Sequence, residues 1–146
     1  MIEKLVLLVE DDPADARLVQ RAFLKIHAPI RVSRLTDGDE AVAYLNGDPP
    51  FHNRTQHPLP MVVLLDIKMP RRSGLEVLEW LRSKTSPLRR MPVVILTSSK
   101  HSVDINRAYE LGVNSYLTKP ENSAGLVELA TAFRDYWINF NQAPSL

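Results

Sequence analysis

Acidic side chains follow two apolar runs in the sequence. Glu10 and Asp11 come directly after residues 5–9, and Asp66 comes directly after residues 61–65. Continuous apolar runs of this length indicate strands buried on both faces of a parallel sheet, whose carboxyl ends meet at one edge. Three carboxylates converging there repel each other and are costly to bury, so they require a cation. Carboxylate oxygens suit a hard ion, and the sequence therefore predicts a Mg²⁺ site.

A hydroxyl and an ammonium are expected at the same edge. Thr97 directly follows the apolar run 92–96, and Lys119 comes shortly after a strand-like segment, residues 115–117. A lysine, a hydroxyl and a divalent cation around one carboxylate would position a transferring phosphoryl group and neutralise its charge. Asp66 is then the predicted nucleophile, which forms an aspartyl phosphate.

Strand-like runs and helical patterns alternate along the chain. The predicted strands are residues 5–9, 30–35, 61–65, 92–96 and 115–117. Five helices are predicted between and after them, the first beginning at Asp12-Pro13 with Asp12 as N-cap. Five strands that alternate with five helices predict a (βα)5 α/β fold with a doubly wound parallel sheet. Ligands of such sheets bind outside the carboxyl ends of the strands, where the acids lie.

Composition excludes several classes of function. The chain has 146 residues, no cysteine and a net charge of +1. Without cysteine, thiolate chemistry and disulfides are excluded. The small net charge gives no overall field that would attract nucleic acid or a membrane surface. No apolar run approaches the ~20 residues needed to span a bilayer. Residues 1–4 lead directly into a strand-like run that ends in acids, which does not resemble a signal peptide. We expect a single cytoplasmic domain that spans residues 1–146.

Four segments together resemble the response-regulator receiver domain of the CheY-like type. They are Leu8-Val9-Glu10-Asp11-Asp12, Leu64-Leu65-Asp66-Ile67-Lys68-Met69-Pro70 with Ser73-Gly74, Leu96-Thr97-Ser98, and Tyr116-Leu117-Thr118-Lys119-Pro120. Each motif alone is weak, but their order and spacing are specific, and the match covers about residues 4–133. The resemblance implies a flavodoxin-like sheet with strand order 2-1-3-4-5.

The resemblance also implies a role for each matched residue. Asp66 would accept a phosphoryl group from a histidine of a partner kinase. Asp11 and Asp66 would ligate Mg²⁺ directly, Glu10 mainly through water, and Lys68 through its backbone carbonyl. Thr97 and Lys119 would bind the phosphoryl oxygens. Tyr116 would be the aromatic switch residue.

A narrower resemblance concerns the subfamily. The long loop at 47–60, the stretch 70–74 and the aromatic tail at about 134–146 are similar to the stand-alone regulators paired with cyanobacterial phytochromes. This implies a sensor histidine kinase of the phytochrome type as partner. It also implies no output domain, and a homodimer through the face of the fourth helix, fifth strand and fifth helix.

The tail carries more apolar side chains than one helical stripe can bury. Phe133 lies on the core stripe of the last helix, and Trp137 continues that stripe but is as consistent with core packing as with exposure. Tyr136, Ile138 and Phe140 fall partly off that stripe. An exposed apolar patch often marks an interface, so these three are predicted to contribute to the dimer.

Two other functions fit the sequence less well. A phosphatase or phosphotransferase with an aspartyl-phosphate intermediate typically has a second Asp two residues after the nucleophile as general acid, and Lys68 occupies that position here. A degenerate receiver that binds constitutively would lack an acid, the hydroxyl or the lysine, and all are present. The sequence therefore favours a phosphorylation-controlled binding module over an enzyme.

Overall fold

One sheet of five parallel strands, in the order β2-β1-β3-β4-β5, forms the centre of the protein. The structure is a computed structural model and describes residues 4–146. The strands are β1 (Lys4–Val9), β2 (Ile30–Leu35), β3 (Val62–Leu65), β4 (Val93–Thr97) and β5 (Ser115–Thr118). The helices are α1 (Pro13–Lys25), α2 (Gly38–Asn46), α3 (Gly74–Arg82), α4 (Ser102–Glu110) and α5 (Ser123–Phe133). The predicted alternation and strand order are confirmed.

The two faces of the sheet bury two separate cores. Along β1, Leu7 and Val9 point to one face and Val6 and Leu8 to the other, and all four are buried. Helices α2, α3 and α4 cover the first face, and α1 and α5 cover the second. This double coverage explains why the strands read as continuous apolar runs instead of alternating ones. Within residues 4–146, none of the helices has the length and hydrophobicity required to cross a bilayer.

Helix α1 begins directly after the acidic end of β1. The Asp12 carboxylate accepts hydrogen bonds from the amides of Ala14 and Asp15, at 2.8 and 3.2 Å. Asp12 is therefore the N-cap, as predicted, and Pro13 occupies the first helical position, where a missing N–H costs nothing. The cap fixes where the chain turns from the β1 end into α1.

The long loop at 47–60 is anchored to the end of α2. The Arg54 guanidinium donates to the backbone oxygens of Tyr44 and Leu45, both at 2.8 Å, which satisfies carbonyls that the helix end leaves free. Phe51 and His57 pack against the Tyr44 ring. The insertion therefore folds back on α2.

The last helix continues past α5 as a π-helical segment, Arg134–Phe140. The i→i+5 hydrogen bonds of a π-helix give it more residues per turn than an α-helix, which brings Ile138 closer to the side of Phe133, and both are buried. The prediction that Ile138 is a surplus surface residue is therefore wrong, because it assumed the ordinary helical repeat. Tyr136 and Phe140 are 56% and 76% exposed, as expected. Trp137 is half-buried and packs against the second core.

Gly74, the first residue of α3, allows the backbone after β3 to close tightly. A Cβ at this position would lie 2.1 Å from the backbone oxygen of Asp66, while the Gly74 amide donates to the Ile67 oxygen at 2.9 Å. We expect Gly74→Ala to lower the free energy of unfolding by about 1–3 kcal/mol, because the clash forces the loop that carries Asp66 to move.

Chemical denaturation measures this change. Gly125→Ala is the comparison variant and should cost less, since the nearest atoms to its added Cβ are side-chain atoms of Pro120 and Asn122, at 2.8 and 3.2 Å, and not backbone. A Gly74→Ala protein as stable as the wild type would show that the close approach is unimportant.

Candidate functional site

Neighbouring strands bring the three predicted acids together. Val9 pairs with Leu65 at the ends of β1 and β3, and the Asp66 amide donates to the Val9 oxygen at 3.1 Å. Glu10 and Asp66 therefore leave the sheet side by side. One carboxylate oxygen from each of Glu10, Asp11 and Asp66 lies within 4.8 Å of the others. We call these three residues the carboxylate group.

Burial makes this group electrostatically unfavourable by itself. Glu10 and Asp66 are 2% and 7% exposed, whereas Asp11 lies nearer the solvent. Burial raises the pKa of Glu10 to about 7, and the charge of Asp66 acts in the same direction. The hydrogen bond from Lys119 opposes this rise without cancelling it. Burial of Glu10 and Asp66 and the repulsion between their charges thus favour a positive charge at this edge of the sheet, as predicted.

The Lys119 ammonium supplies part of that charge. Its Nζ lies 2.5 Å from Glu10 Oε1, 2.9 Å from Asp15 Oδ2 and 3.2 Å from Asp66 Oδ2. Burial opposes protonation, but the hydrogen bonds to Glu10 and Asp15 and the charge of Asp66 raise the pKa of Lys119 above its usual value. The lysine is therefore a permanent cation in this site.

The Asp66 carboxylate is held in one orientation. Its Oδ1 accepts a hydrogen bond from the Ile67 amide at 2.8 Å, and its Oδ2 faces Lys119. The Lys119 backbone is fixed in turn, because its amide donates to the Thr97 oxygen at 2.8 Å. Thr97 itself is buried at the end of β4, on the strand next to Asp66.

Tyr116 and Lys68 lie outside the carboxylate group. The Tyr116 hydroxyl donates to the Ser99 backbone oxygen at 2.9 Å, beside the β4–α4 loop. Burial raises the pKa of Tyr116, so its hydroxyl stays protonated and available as a donor. Lys68 is exposed, two residues beyond Asp66.

Comparison with known proteins settles the family. The model of the response regulator receiver domain matches residues 6–131 of this chain. The chain belongs to that family. Residues 6–131 include the carboxylate group, Thr97, Tyr116 and Lys119, so the matched region contains the whole site.

Relatives of this receiver domain match along nearly the full chain. A probable methanogenesis regulatory protein, FilR2 of Methanothrix harundinacea, is 39% identical over 140 residues, covering 96% of this chain and 87% of the relative. Response regulator Rcp1 of Synechocystis sp. is 36% identical over 142 residues, covering 97% and 94%. The phosphorylated cyanobacterial phytochrome response regulator RcpA has a similar structure, with a TM-score of 0.89, 36% identity and coverage of 98% and 99%. The protein is a two-component response regulator receiver domain, homologous to the phytochrome response regulators.

The donor set fits a divalent metal ion. Three carboxylates offer oxygen ligands in one group, which is the chemistry that hard divalent ions prefer. Rcp1 has been crystallised in a Mn²⁺-bound form, and that structure matches this one with a TM-score of 0.86. Receiver domains bind a divalent metal through this acidic cluster.

Two further residues support the site without being predicted from the sequence. Arg34 of β2 donates from Nε to the Glu10 oxygen and from Nη2 to the Asp11 oxygen, at 2.9 and 3.0 Å, and so fixes the backbone between β1 and α1. Asp15, in the first turn of α1, binds Lys119. The only sequence signal for Asp15 is its place three residues after the N-cap Asp12, where helices favour acids for other reasons.

A divalent metal should stabilise the folded protein. Binding to the native state alone adds about 1.4 kcal/mol to the free energy of unfolding at ten times the dissociation constant. We expect Mg²⁺ to raise the melting temperature of the wild type, and Asp11→Asn to remove most of the gain.

The control is Asp12→Asn, which changes the charge of the next residue, outside the carboxylate group. It should keep the gain in stability that Mg²⁺ gives. A wild-type melting temperature that does not respond to Mg²⁺ would contradict the site.

Glu10 should make the metal-free protein less stable as the pH rises. Its pKa is about 7 when folded and 4.5 in the unfolded reference, so the native state binds more protons between these values. The free energy of unfolding therefore falls across that window, by at most about 3 kcal/mol, and changes no further above it.

Denaturation of wild type and Glu10→Gln in chelator, at several pH values, isolates this contribution because histidine titration is common to both proteins. We expect the wild type to lose stability relative to Glu10→Gln between about pH 5 and 7. A difference that is constant with pH would contradict the assignment.

Proposed function

We propose that this receiver domain accepts a phosphoryl group on Asp66 from a histidine of a sensor kinase, with Mg²⁺ in the site. One observation carries the choice of Asp66. Its strand, β3, lies between β1, which delivers Glu10 and Asp11, and β4, which delivers Thr97. Asp66 is therefore the carboxylate placed between the metal ligands on one side and the hydroxyl and lysine on the other.

The resemblance assigns the ligands of the cation. Asp11 and Asp66 would ligate it directly, Glu10 mainly through water, and Lys68 through its backbone carbonyl. When bound, Mg²⁺ supplies positive charge between the carboxylates and the incoming phosphoryl oxygens. Hard oxygen donors favour Mg²⁺ as the physiological ion.

The transfer is a displacement at phosphorus. An oxygen of Asp66 forms the new O–P bond, the P–N bond of the phosphohistidine breaks, and the imidazole leaves with the electron pair. The Ile67 amide and Lys119 hold the Asp66 carboxylate in place before reaction, which lowers the cost of alignment. Lys119 and Thr97 then bind the phosphoryl oxygens.

Thr97 and Tyr116 connect the site to a distant face. Thr97 ends β4, and Tyr116 lies on the adjacent β5 with its hydroxyl bonded to the Ser99 oxygen. Movement of the Thr97 hydroxyl toward a phosphoryl oxygen would favour the arrangement in which the Tyr116 ring fills the space behind it. The α4–β5–α5 face would then have two arrangements, one with and one without the Tyr116 ring in that space. Phosphorylation would favour the first arrangement only to the extent that the phosphoryl group interacts more strongly with it than with the second.

No separate enzymatic turnover is proposed. Lys68 stands where an aspartyl-phosphate phosphatase or phosphotransferase would have its acidic partner, and an ammonium cannot take that role. The chemistry is limited to phosphorylation of Asp66 and its hydrolysis.

The partners follow from the similarity to the phytochrome regulators. Rcp1 and RcpA match this chain over nearly their whole lengths, which supports a sensor histidine kinase of the phytochrome type. We propose a single receiver domain over residues 1–146, with the tail at 134–146, that acts in the cytoplasm without binding nucleic acid or membrane. The net charge of +1 supports the last point.

A homodimer through α4, β5 and α5 is supported by exposed apolar groups. Val103 and Tyr109 on α4 are 76% and 52% exposed, and Tyr136 and Phe140 extend the apolar surface along the tail. A two-fold interface would use this surface twice. Output would then depend on how phosphorylation changes the dimer or its binding partners.

Asp66 alone should carry the phosphoryl group. We expect wild type incubated with acetyl phosphate and Mg²⁺ to gain one phosphoryl group by intact mass, and Asp66→Asn to gain none, because the amide cannot form the O–P bond. Asp39→Asn, at an exposed acid that pairs with Arg72, is the control and should react as wild type does. Equal phosphate gain by Asp66→Asn would refute the assignment.

The tail should contribute to the dimer. We expect Tyr136→Ala/Phe140→Ala to weaken dimerisation, because it removes the exposed apolar groups of the tail. Phosphorylation should shift the wild-type dimer affinity by roughly 5–150-fold. Sedimentation at several concentrations, with and without phosphodonor, measures both effects.

The control for the tail is Leu24→Ala, which removes an equally exposed apolar side chain from α1. A wild type that is monomeric at high concentration in both states would refute the dimer. A double mutant that dimerises as wild type does would remove the tail from the interface.

A further inference from the structure

Lys119 has three carboxylate partners, and one of them is not a member of the carboxylate group. Glu10 and Asp66 contact the ammonium from within the group, whereas Asp15 contacts it at 2.9 Å from the first turn of α1. An ammonium has three N–H donors, so these three acceptors satisfy it completely.

A cation in the carboxylate group would compete with Lys119. It would draw on oxygens of Glu10 and Asp66, the acids that hold the ammonium in the described arrangement. It would also repel the ammonium directly, since both are positive and both lie in a poorly solvated crevice. Only Asp15 would remain as a partner that does not also serve the cation.

The position of Asp15 suits this role. Its side chain is 39% exposed, and it lies near the N-terminus of α1, which favours negative charge. The Asp15 amide is held by the Asp12 carboxylate at 3.2 Å, which fixes its backbone. Asp15 and Lys119 also line a cavity of about 280 Å³, which gives the ammonium room to shift.

We propose that Asp15 takes up the Lys119 ammonium when a divalent cation occupies Glu10, Asp11 and Asp66, so that the cation and the lysine occupy the site together. The proposal rests on the metal-assisted phosphorylation proposed above. Asp15 acts as a positioning residue through Lys119. It keeps the lysine within reach of the phosphoryl oxygens that Asp66 would carry.

A double-mutant cycle on Mg²⁺ affinity, measured by titration calorimetry, tests the proposal without any phosphorylation. The proteins are wild type, Asp15→Asn, Lys119→Met and the double mutant. We expect Asp15→Asn to weaken Mg²⁺ binding about three- to tenfold when Lys119 is present, because the lysine then competes with the cation. In the Lys119→Met background the same substitution should change the affinity less than twofold, because only a screened surface charge is lost.

Glu121→Gln is the matched charge control, since Glu121 lines the same cavity but has no ion pair with Lys119 in the described residues. It should bind Mg²⁺ as wild type does, and Asp15→Glu should recover most of the affinity lost in Asp15→Asn. If Lys119→Met does not fold, the comparison of Asp15→Asn with Glu121→Gln decides the question.

Phosphorylation rates with donors of different charge give a second measurement. At saturating Mg²⁺, Asp15→Asn should slow the reaction by a similar factor with acetyl phosphate and with phosphoramidate, because a displaced lysine affects both. If Asp15→Asn acted only by removing a negative charge near the site, the reaction rate with the more anionic donor would instead rise relative to the rate with the other donor.

The outcomes separate the two proposals. A wild type that binds Mg²⁺ and accepts phosphate, but in which Asp15→Asn has the same effect with and without Lys119, refutes the role of Asp15 alone. A loss in Glu121→Gln equal to that in Asp15→Asn refutes it as well. A wild type that neither binds Mg²⁺ nor accepts phosphate refutes the proposed function and this inference with it.

Discussion

Buried negative charge at the carboxyl edge of the sheet is the constraint on which the rest of the site depends. Glu10 and Asp66 are almost fully buried, and with Asp11 they place three carboxylates within 4.8 Å of one another. Such groups are strongly destabilising without a cation, because neither solvent nor an apolar core compensates their charge. Lys119 provides one positive charge, and the donor set accommodates a divalent ion. The same imbalance favours cation binding at this edge, and the proposed transfer of a phosphoryl group with Mg²⁺ depends on it.

The strand order of the sheet determines which side chains surround Asp66. The order β2-β1-β3-β4-β5 places Asp66 at the end of the central strand, with acids on one side and Thr97 on the other. Backbone hydrogen bonds from Asp66 to Val9 and from Lys119 to Thr97 connect the strand ends. The hydrogen bonds of the sheet therefore hold the side chains of the site next to one another. Beyond Thr97, the Tyr116 hydroxyl reaches the Ser99 oxygen, and the Ser99 hydroxyl donates to Asp104 of α4 at 2.5 Å. Hydrogen bonds therefore extend from Tyr116 through Ser99 to α4, the helix on which Val103 and Tyr109 are exposed.

The sequence was sufficient to predict the features that depend on local pattern. The apolar runs locate both ends of every strand to within one residue, and the polar residues that follow them predict the carboxylate group and Lys119. Two features that depend on tertiary geometry were not predictable in this way. The contact of Asp15 with Lys119 joins residues from opposite ends of the chain, and nothing in the spacing of either residue signals it. The burial of Ile138 depends on the wider turn of the π-helical segment, which propensity and periodicity do not distinguish from an ordinary helix end.

The most direct test of the central claim is a crystal structure with Mg²⁺ and beryllofluoride, which forms a stable mimic of an aspartyl phosphate. We expect the beryllium to be bonded to Asp66, Glu10 and Asp11 to face the Mg²⁺ ion, and Lys119 to lie between a fluorine atom and Asp15. An adduct on another carboxylate would contradict the role of Asp66. A Lys119 side chain turned away from the adduct would contradict the claim that this lysine links the buried carboxylates to the phosphoryl group.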